Sequence, residues 1–470
     1  MILRPYQEKA RDDIRAAMRK HRRVLLTAPT GSGKGVLISF MMKEAAARGL
    51  RSWLVCHRRE LLDQLSAGLH EVGVPHGIIA AGRDGSTAPI QIASVATLTR
   101  RLDKLQPPAL LVLDEAHHAV ARTWRRIMEH CAKSWVVGLT ATPVRTSGEG
   151  LDDLFDALVL GPTVPELIQA GHLSRYRLIG PPAPLDLSGV RVRHGDYVTA
   201  ELEEAVDKNA VVGDAVEHYR KYVAPQSCLA FCVSRKHARH VEEAYRAAGI
   251  NARYVGGDTP ADERQQAVRD FKSGKLPVIT SVEIFSEGVD SPGLRAVQLL
   301  RPTRSLGLFL QQVGRGLRVE PGKRECVVLD HCGLSYRFGL VDDIRSWTLA
   351  GRVKKAKDEP IPQLRHCEKC FAIFGGWASV CPACGAVLPV QSRMPEQKEG
   401  ELAELDVEMI RRARAREEGK AHGLEALVRL ALERGYKVAW AGVRHAIRTG
   451  MDRRQAIKEA QDFARSLPSQ

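Results

Sequence analysis

The sequence is poor in aromatic residues, has no long apolar run and carries no acidic excess. Aromatics make up 5% of the 470 residues, too few for an extended platform on which single-stranded bases would stack. No apolar stretch approaches the roughly 20 residues of a membrane span; the longest are strand-sized, such as Ala109–Leu113. The opening segment MILRPYQEKA mixes charges where a secretion signal would have an apolar centre, which predicts a cytoplasmic protein with no membrane partner. Acidic residues number 55 against 70 Lys and Arg, a net charge of +15 that favours a polyanionic partner. Most of that surplus precedes Gly385, so it belongs to the folded body and not to a detachable basic arm. With 44% hydrophobic and 27% charged residues, the chain has the composition of a globular protein of two or three domains.

The ten cysteines fall into two groups. Cys56, Cys131, Cys228, Cys232, Cys326 and Cys332 lie mostly in apolar segments and read as buried thiols. Cys367, Cys370, Cys381 and Cys384 follow the spacing C-x2-C-x10-C-x2-C. Two such turns direct two thiolates each into a tetrahedron, which predicts Zn²⁺; four cysteines leave no open coordination position, so the zinc would be structural. Phe371, Phe374 and Trp377 between the turns would supply the apolar filling of a small ribbon.

Continuous apolar runs at Val24–Ala28, Ser52–Cys56, Ala109–Leu113 and Trp135–Leu139 suit strands buried on both faces of a parallel sheet. Helix-like segments such as Arg59–Val72 and Trp124–Ala132 alternate with them. After the Pro- and Gly-rich stretch Gly180–Pro184 the alternation resumes, with strand-like runs at Cys228–Val233, Leu276–Thr280, Ala296–Leu300 and Val327–Leu329. The expected fold class is α/β: two tandem domains with parallel sheets (residues 1–180 and 205–350), then a zinc ribbon (363–388) and a helical tail (400–470) in which Glu401–Ala421 is charged on most faces.

Ala28-Pro-Thr-Gly-Ser-Gly-Lys34 follows the first strand directly. Its glycines let backbone N–H groups close around phosphate oxygens, the next helix N-terminus favours the same anion, and Lys34 would neutralise the β- and γ-phosphates. Gly35 stands where such loops place a Mg²⁺-binding Ser or Thr, and a water can take that place. Asp114-Glu-Ala-His117 ends another strand. Asp114 there can hold Mg²⁺ through its water shell, and Glu115 can orient and deprotonate an attacking water.

With these motifs the chain resembles the superfamily 2 helicases of the DEAD/DEAH-box class, in particular repair- and restriction-type DNA helicases and their phage-encoded relatives. The resemblance covers roughly residues 1–335. It implies two RecA-like P-loop domains with ATP in the cleft between them. Leu3-Arg-Pro-Tyr-Gln7 resembles the adenine-reading motif, with Arg4 and Gln7 at the base, and Thr30, Gly31, Ser32, Gly33, Lys34 and Gly35 would hold the phosphates. Asp114, Glu115 and His117 match motif II. Gly138–Pro143 resembles motif III, whose Thr140 and Thr142, with Gln311, would couple hydrolysis to movement. Ser281–Asp290 resembles motif V, placing Gly288 and Asp290 at the nucleotide, and Gln311–Arg318 resembles motif VI, whose Arg315 and Arg318 would reach the γ-phosphate. Arg58, Ser94, Thr97, Arg100, Ser234 and Arg235 match segments that track a strand through its phosphates. The expected partner is a single-stranded or forked nucleic acid, DNA before RNA. Tyr436–Ala441 is similar to an element of phage-type helicases, and the ribbon or tail could dock a protein. Two other readings stay open: the motor subunit of a restriction or defence system, and a nucleotide-gated clamp in which Gly35 impairs hydrolysis.

Overall fold

The computed structural model describes residues 2–145, 148–181, 185–193, 195–206, 209–282, 294–351, 364–366, 373–375, 380, 385–387, 403–405, 421, 423–433 and 436–466. The chain forms two compact units. One comprises Met1–Tyr176, Asp186–Leu329 and Trp347–Ala356, the other Arg177–Leu185, Asp330–Ser346 and Lys357–Gln470.

The first unit contains two sheets. The N-terminal sheet is built from β1 (Arg23–Thr27), β2 (Ser52–Cys56), β3 (His76–Ala80), β4 (Arg83–Asp84), β5 (Ile90–Ser94), β6 (Leu110–Asp114), β7 (Trp135–Thr140) and β8 (Ala157–Leu160). Its order is β4-β3-β5-β2-β6-β7-β1-β8, parallel throughout apart from the β3–β4 pair. Alternate side chains leave the sheet on opposite faces, and helices cover both. Val24 and Leu26 join Ile14 of α1 (Pro5–Met18), Ile38 and Met42 of α2 (Lys34–Ala47) and Leu65 of α3 (Arg59–Glu71). Leu25 joins Leu98 of α4 (Val95–Arg101) with Trp124 and Ile127 of α5 (Arg122–His130). Burial on both faces is why these strands have no polar alternation. Each such Leu or Ile contributes about 1.5–3 kcal/mol relative to exposure.

Next along the chain come α6 (Val164–Gln169), β9 (Arg175–Gly180) and the antiparallel hairpin β10 (Val192–Arg193) and β11 (Asp196–Tyr197). There follow α7 (Thr199–Val206), α8 (Asn209–Tyr222), β12 (Cys228–Phe231), α9 (Arg235–Ala247), β13 (Ala252–Tyr254), α10 (Ala261–Lys272), β14 (Val278–Ser281), β15 (Ala296–Leu299), α11 (Leu306–Gly316) and β16 (Glu325–Asp330). The strands order as β13-β14-β12-β15-β16, and the β13–β14, β14–β12 and β12–β15 pairs are parallel. Two helix-covered parallel sheets in series are two RecA-like domains.

In the second unit the helices Gly423–Glu433, Val438–Thr449 and Arg453–Ser466 share a core of Leu427, Val428, Trp440, Ala441 and Ala460. A Cβ on Gly442 would lie 2.5 Å from Ile457 Cα, so two of these helices meet backbone to backbone. Ala403–Leu405 corrects the expectation of a charged helix at 401–421. It is a strand paired antiparallel with Leu178–Gly180, because a ladder partner outweighs weak local helix preference. Residues 401–402, 406–420 and 422 lie outside the described residues. So do Cys367, Cys370, Cys381 and Cys384. Of the expected ribbon the structure describes the antiparallel strands Leu364–His366 and Ile373–Gly375 and the bridge between Val380 and Val387. The other six cysteines are buried and unbonded to one another.

Candidate functional site

Parallel strands deliver their loops to one edge of the sheet, and β6, β7 and β1 are neighbours. Asp114 therefore lies in register with Leu139, and Thr27 with Thr140, at the C-terminal ends. The loop after β1 turns through Gly31 (φ +85°) and Gly33 (φ +76°), left-handed positions that a side chain would strain, and Gly33 caps the N-terminus of α2. The Lys34 ammonium curls over the loop onto the Ala28 and Pro29 carbonyls at 3.1 and 3.4 Å. Ser32 Oγ is buried within the loop with no hydrogen-bond partner. A helix N-terminus, an ammonium held only by loop carbonyls and an unused hydroxyl together fit a polyphosphate. Gly35 is exposed, and a Cβ added there meets nothing within 4 Å.

Gln7 is tied to the same loop. Its Oε1 accepts from Arg4 N at 2.9 Å, and its Nε2 donates to Ser32 O (3.3 Å) and Gly33 O (3.1 Å). The Tyr6 hydroxyl adds a bond to Ser32 O at 2.9 Å. Both ends of the Gln7 amide are thus in use, so base recognition by Gln7 requires these bonds to exchange.

Asp114 is buried at the end of β6 and accepts the Glu115 N–H at 3.1 Å. Among the described residues Glu115 is the one non-glycine with positive φ, +50°, a strained conformation of the kind that aims side chains at reacting groups. His117 Nδ1 lies 2.9 Å from Thr140 Oγ1 and 3.4 Å from a Glu115 carboxylate oxygen. Thr140 Oγ1 gives its proton to Thr142 O (3.0 Å) and accepts from Thr142 N (3.1 Å). His117 Nδ1 is thus paired with the threonine oxygen, and the Glu115 carboxylate lies beside that pair. Motifs II and III are joined by this one hydrogen-bonded chain.

The motif VI helix α11 lies directly on the first domain. A Cβ on Gly314 would be 2.6 Å from Thr30 Cβ, and one on Gly307 would be 2.9 Å from Thr142 Oγ1. From Gly31 the same construction reaches Leu173 Cδ2 at 2.8 Å and Arg318 Cγ at 3.5 Å. Arg315 and Gln311 are buried on α11, and burial lowers the pKa of the Arg318 guanidinium, which still stays charged. Motif VI, motif III and the phosphate loop thus share one cleft. Leu173 forms an antiparallel bridge to Arg318, and Ser174 N–H donates to Leu317 O at 2.7 Å. The His172 ring lies 5.2 Å from that of Tyr6, its pKa lowered by burial and by Arg4. The motif V residues Gly288 and Asp290 lie outside the described residues.

Of the candidate strand-tracking residues, Arg58, Ser94, Thr97, Ser234 and Arg235 lie at or just after the C-terminal ends of β2, β5 and β12. Arg58 precedes α3, Ser94 caps α4 by accepting from Thr97 N at 3.3 Å, and Ser234 caps α9 by accepting from His237 N at 3.1 Å. Arg100 and Arg235 are exposed. Next to Arg58, the His57 and His118 rings lie 4.4 Å apart, tilted at 52°, and the His118 ring lies 4.1 Å from that of His117.

Fold and site together define a P-loop motor of the ATP-hydrolysing helicase class. Residues 1–145 match the family described as type III restriction enzyme, res subunit, and residues 208–320 match the helicase conserved C-terminal domain. A 51.5 kDa protein of a Lactococcus phage (isolate 7-9) is 31% identical over 390 residues, covering 82% of this chain and 83% of that protein. A Saccharomyces cerevisiae protein carrying the ATP-dependent helicase name IRC3 is 30% identical over 357 residues, covering 71% of this chain but 52% of its own length. The fold is also that of an HsdR subunit fragment assigned to a type I restriction enzyme of Vibrio vulnificus YJ016, with a TM-score of 0.57 and 19% identity over 73% of this chain and 66% of that one. The chain belongs to the superfamily 2 helicases related to restriction and repair enzymes. No helix among the described residues is long and apolar enough to cross a membrane.

Proposed function

We propose that this protein is an ATP-driven translocase or helicase that moves along single-stranded or forked DNA. The observation that supports this reading is the seating of α11 on the phosphate loop, with Gly314 against Thr30 and the Arg318 stem against Gly31, from which Arg315 and Arg318 would act on the nucleotide held by Lys34, Asp114 and Glu115. Lys34 holds the β- and γ-phosphates. Glu115, its backbone held left-handed, orients and deprotonates the attacking water, and the arginines neutralise charge developing on the γ-phosphoryl group, a contribution of about 10³–10⁵ in rate. Mg²⁺, when bound at Asp114, supplies charge neutralisation on the phosphates. Thr140 and Thr142 link motif II to α11, so hydrolysis and the separation of the domains are coupled. Arg58, Ser94, Thr97, Arg100, Ser234 and Arg235 track the strand through its phosphates, which makes binding steeply salt-dependent and nearly indifferent to sequence.

A structural Zn²⁺ held by Cys367, Cys370, Cys381 and Cys384 is part of the same reading. Each C-x2-C pair falls in sequence between two antiparallel segments, Leu364–His366 with Ile373–Gly375 and Val380 with Val387, the arrangement a ribbon requires. The phage relative supports a phage-encoded origin and action in a host cytoplasm.

The test is ATPase with single-stranded DNA, single-stranded RNA or no nucleic acid, alongside strand displacement on forks of both polarities. DNA stimulation that is lost in Lys34→Ala, Glu115→Gln and Arg315→Ala is the expected result. Full activity in Glu115→Gln would refute the mechanism, and stimulation by RNA alone would refute the choice of DNA. One zinc per chain, lost in Cys367→Ser with Cys370→Ser, is expected by elemental analysis.

A further inference from the structure

The segment after motif VI contains a half-buried lysine for which the mechanism above has no role. Helix α11 ends at Gly316, and a helix terminus leaves its last carbonyls without intrahelical partners. Here three successive carbonyls are all met from outside the helix. Lys323 Nζ donates to Gly316 O and, at 2.9 Å, to Arg318 O; Ser174 N–H takes the Leu317 carbonyl between them. The helix end is also wedged in place. A Cβ on Gly316 would come within 2.4 Å of Cys326 Sγ and 3.2 Å of Val297 Cγ1, so this turn sits directly against β15 and β16. On its other side, the stem of Arg318 lies over Gly31 of the phosphate loop.

We propose that Lys323 is a positioning residue for ATP hydrolysis: by clamping the Gly316 and Arg318 carbonyls it fixes the backbone from which Arg318 reaches the γ-phosphate. The clamp spans the residues on either side of Leu317, so it sets the direction in which Arg318 leaves the chain. A cation is favoured at a helix C-terminus in any case, but at an exposed end it contributes only a few tenths of a kcal/mol to about 1 kcal/mol. At this end the ammonium gives up water for two carbonyls, and burial lowers its pKa accordingly. That cost makes sense where the position of the following residue matters, because a displacement of about 1 Å at a reacting group can cost roughly 10² in rate. The inference rests on the reading of Arg315 and Arg318 as cleft residues.

The experiment uses the full chain and compares Lys323→Met, Lys323→Arg, Arg318→Ala and the double variant Lys323→Met/Arg318→Ala in DNA-stimulated ATPase. Lys323→Met is expected to lower kcat at least tenfold, with KM for ATP and affinity for a non-hydrolysable ATP analogue within threefold of the parent. Lys323→Arg, which keeps a two-donor cation, is expected to recover most of that loss. The double variant is expected to be no slower than Arg318→Ala alone, since two residues acting through one guanidinium do not lose rate independently. If Lys323→Met does not fold, Lys323→Gln, which keeps an uncharged donor, takes its place in the same comparison. A change in kcat below threefold, or losses that multiply in the double variant, overturns the inference while leaving the proposed function intact. If Arg318→Ala itself hydrolyses ATP at the parent rate, the assignment of the cleft arginines fails first, and the inference fails with it.

Discussion

The hydroxyl of Thr140 joins the two halves of the motif II–motif III connection, and replacing it with a methyl group tests that connection directly. Thr140→Val keeps the shape of a fully buried side chain but removes an oxygen that serves three groups: His117 Nδ1 at 2.9 Å, Thr142 O at 3.0 Å and Thr142 N at 3.1 Å. A buried hydrogen bond is worth about 1 kcal/mol net, and a group left without a partner costs roughly 1–3 kcal/mol. With the three groups partly re-paired, the expected loss is about 2–5 kcal/mol. Thr140→Ser loses only a methyl group, roughly 1 kcal/mol. With a urea m-value of about 2 kcal/mol per molar, the Val variant should unfold about 1–2.5 M earlier than the parent and the Ser variant within about 0.5 M of it. Tryptophan fluorescence reads this, since Trp124 is buried in the same domain. In the Val variant ATP consumption should outrun strand movement, measured as displacement of streptavidin from biotinylated DNA. Equal midpoints and equal movement per ATP in the two variants would refute the reasoning.

Gly35→Ser places a hydroxyl where a Cβ meets nothing within 4 Å, so it should fold normally and lower the Mg²⁺ concentration for half-maximal ATPase several-fold; an unchanged Mg²⁺ titration would count against Asp114 acting with this loop. Burial lowers the pKa of His218 below its ordinary 6.5, so as pH falls through that value the unfolded chain takes up a proton that the folded chain refuses, and stability declines. His218→Phe should flatten that acid-side decline in urea midpoints between about pH 7.5 and 5.5, on the order of 1 pH unit either side of the ordinary value. Gly442→Val should drive a side chain into the backbone at Ile457, costing about 1–3 kcal/mol and exposing the C-terminal helices to protease while ATPase persists.

Much of the fold was legible because strands buried on both faces leave unbroken apolar runs, as at Ser52–Cys56 and Trp135–Thr140. The strands that escaped notice were short or carried polar residues. In Ile90–Ser94 a buried Gln91 interrupts the run, and the side-chain amide bonds to Ser86 O and Ala88 O keep that residue inside. Ala252–Tyr254 has only three residues. The strand Ala403–Leu405 lies in a charged stretch and takes its conformation from a partner more than 200 residues away in sequence. At the site, the phosphate loop and motif II were readable because their chemistry depends on local spacing. Glycines at fixed intervals make the turn, and a carboxylate pair ends a strand. The attachment of Gln7 to the Ser32 and Gly33 carbonyls, the bridge from Leu173 to Arg318 and the clamp by Lys323 involve residues with no shared motif. Only the folded chain brings them together.

The two glycines of α11 that face the first domain are seven residues apart, two turns of one helix and therefore one stripe along it. At Gly307 and Gly314 the helix offers bare backbone to Thr142 and Thr30. No apolar side chain is inserted at either point, so at about 25 cal/mol per Å² little hydrophobic adhesion is lost when they part. Such a seam resists little when pulled open and needs no repacking when it shuts. Under the proposed function, the work of holding the cleft closed would fall to whatever occupies it, and its dwell time would be a property of the nucleotide more than of the protein.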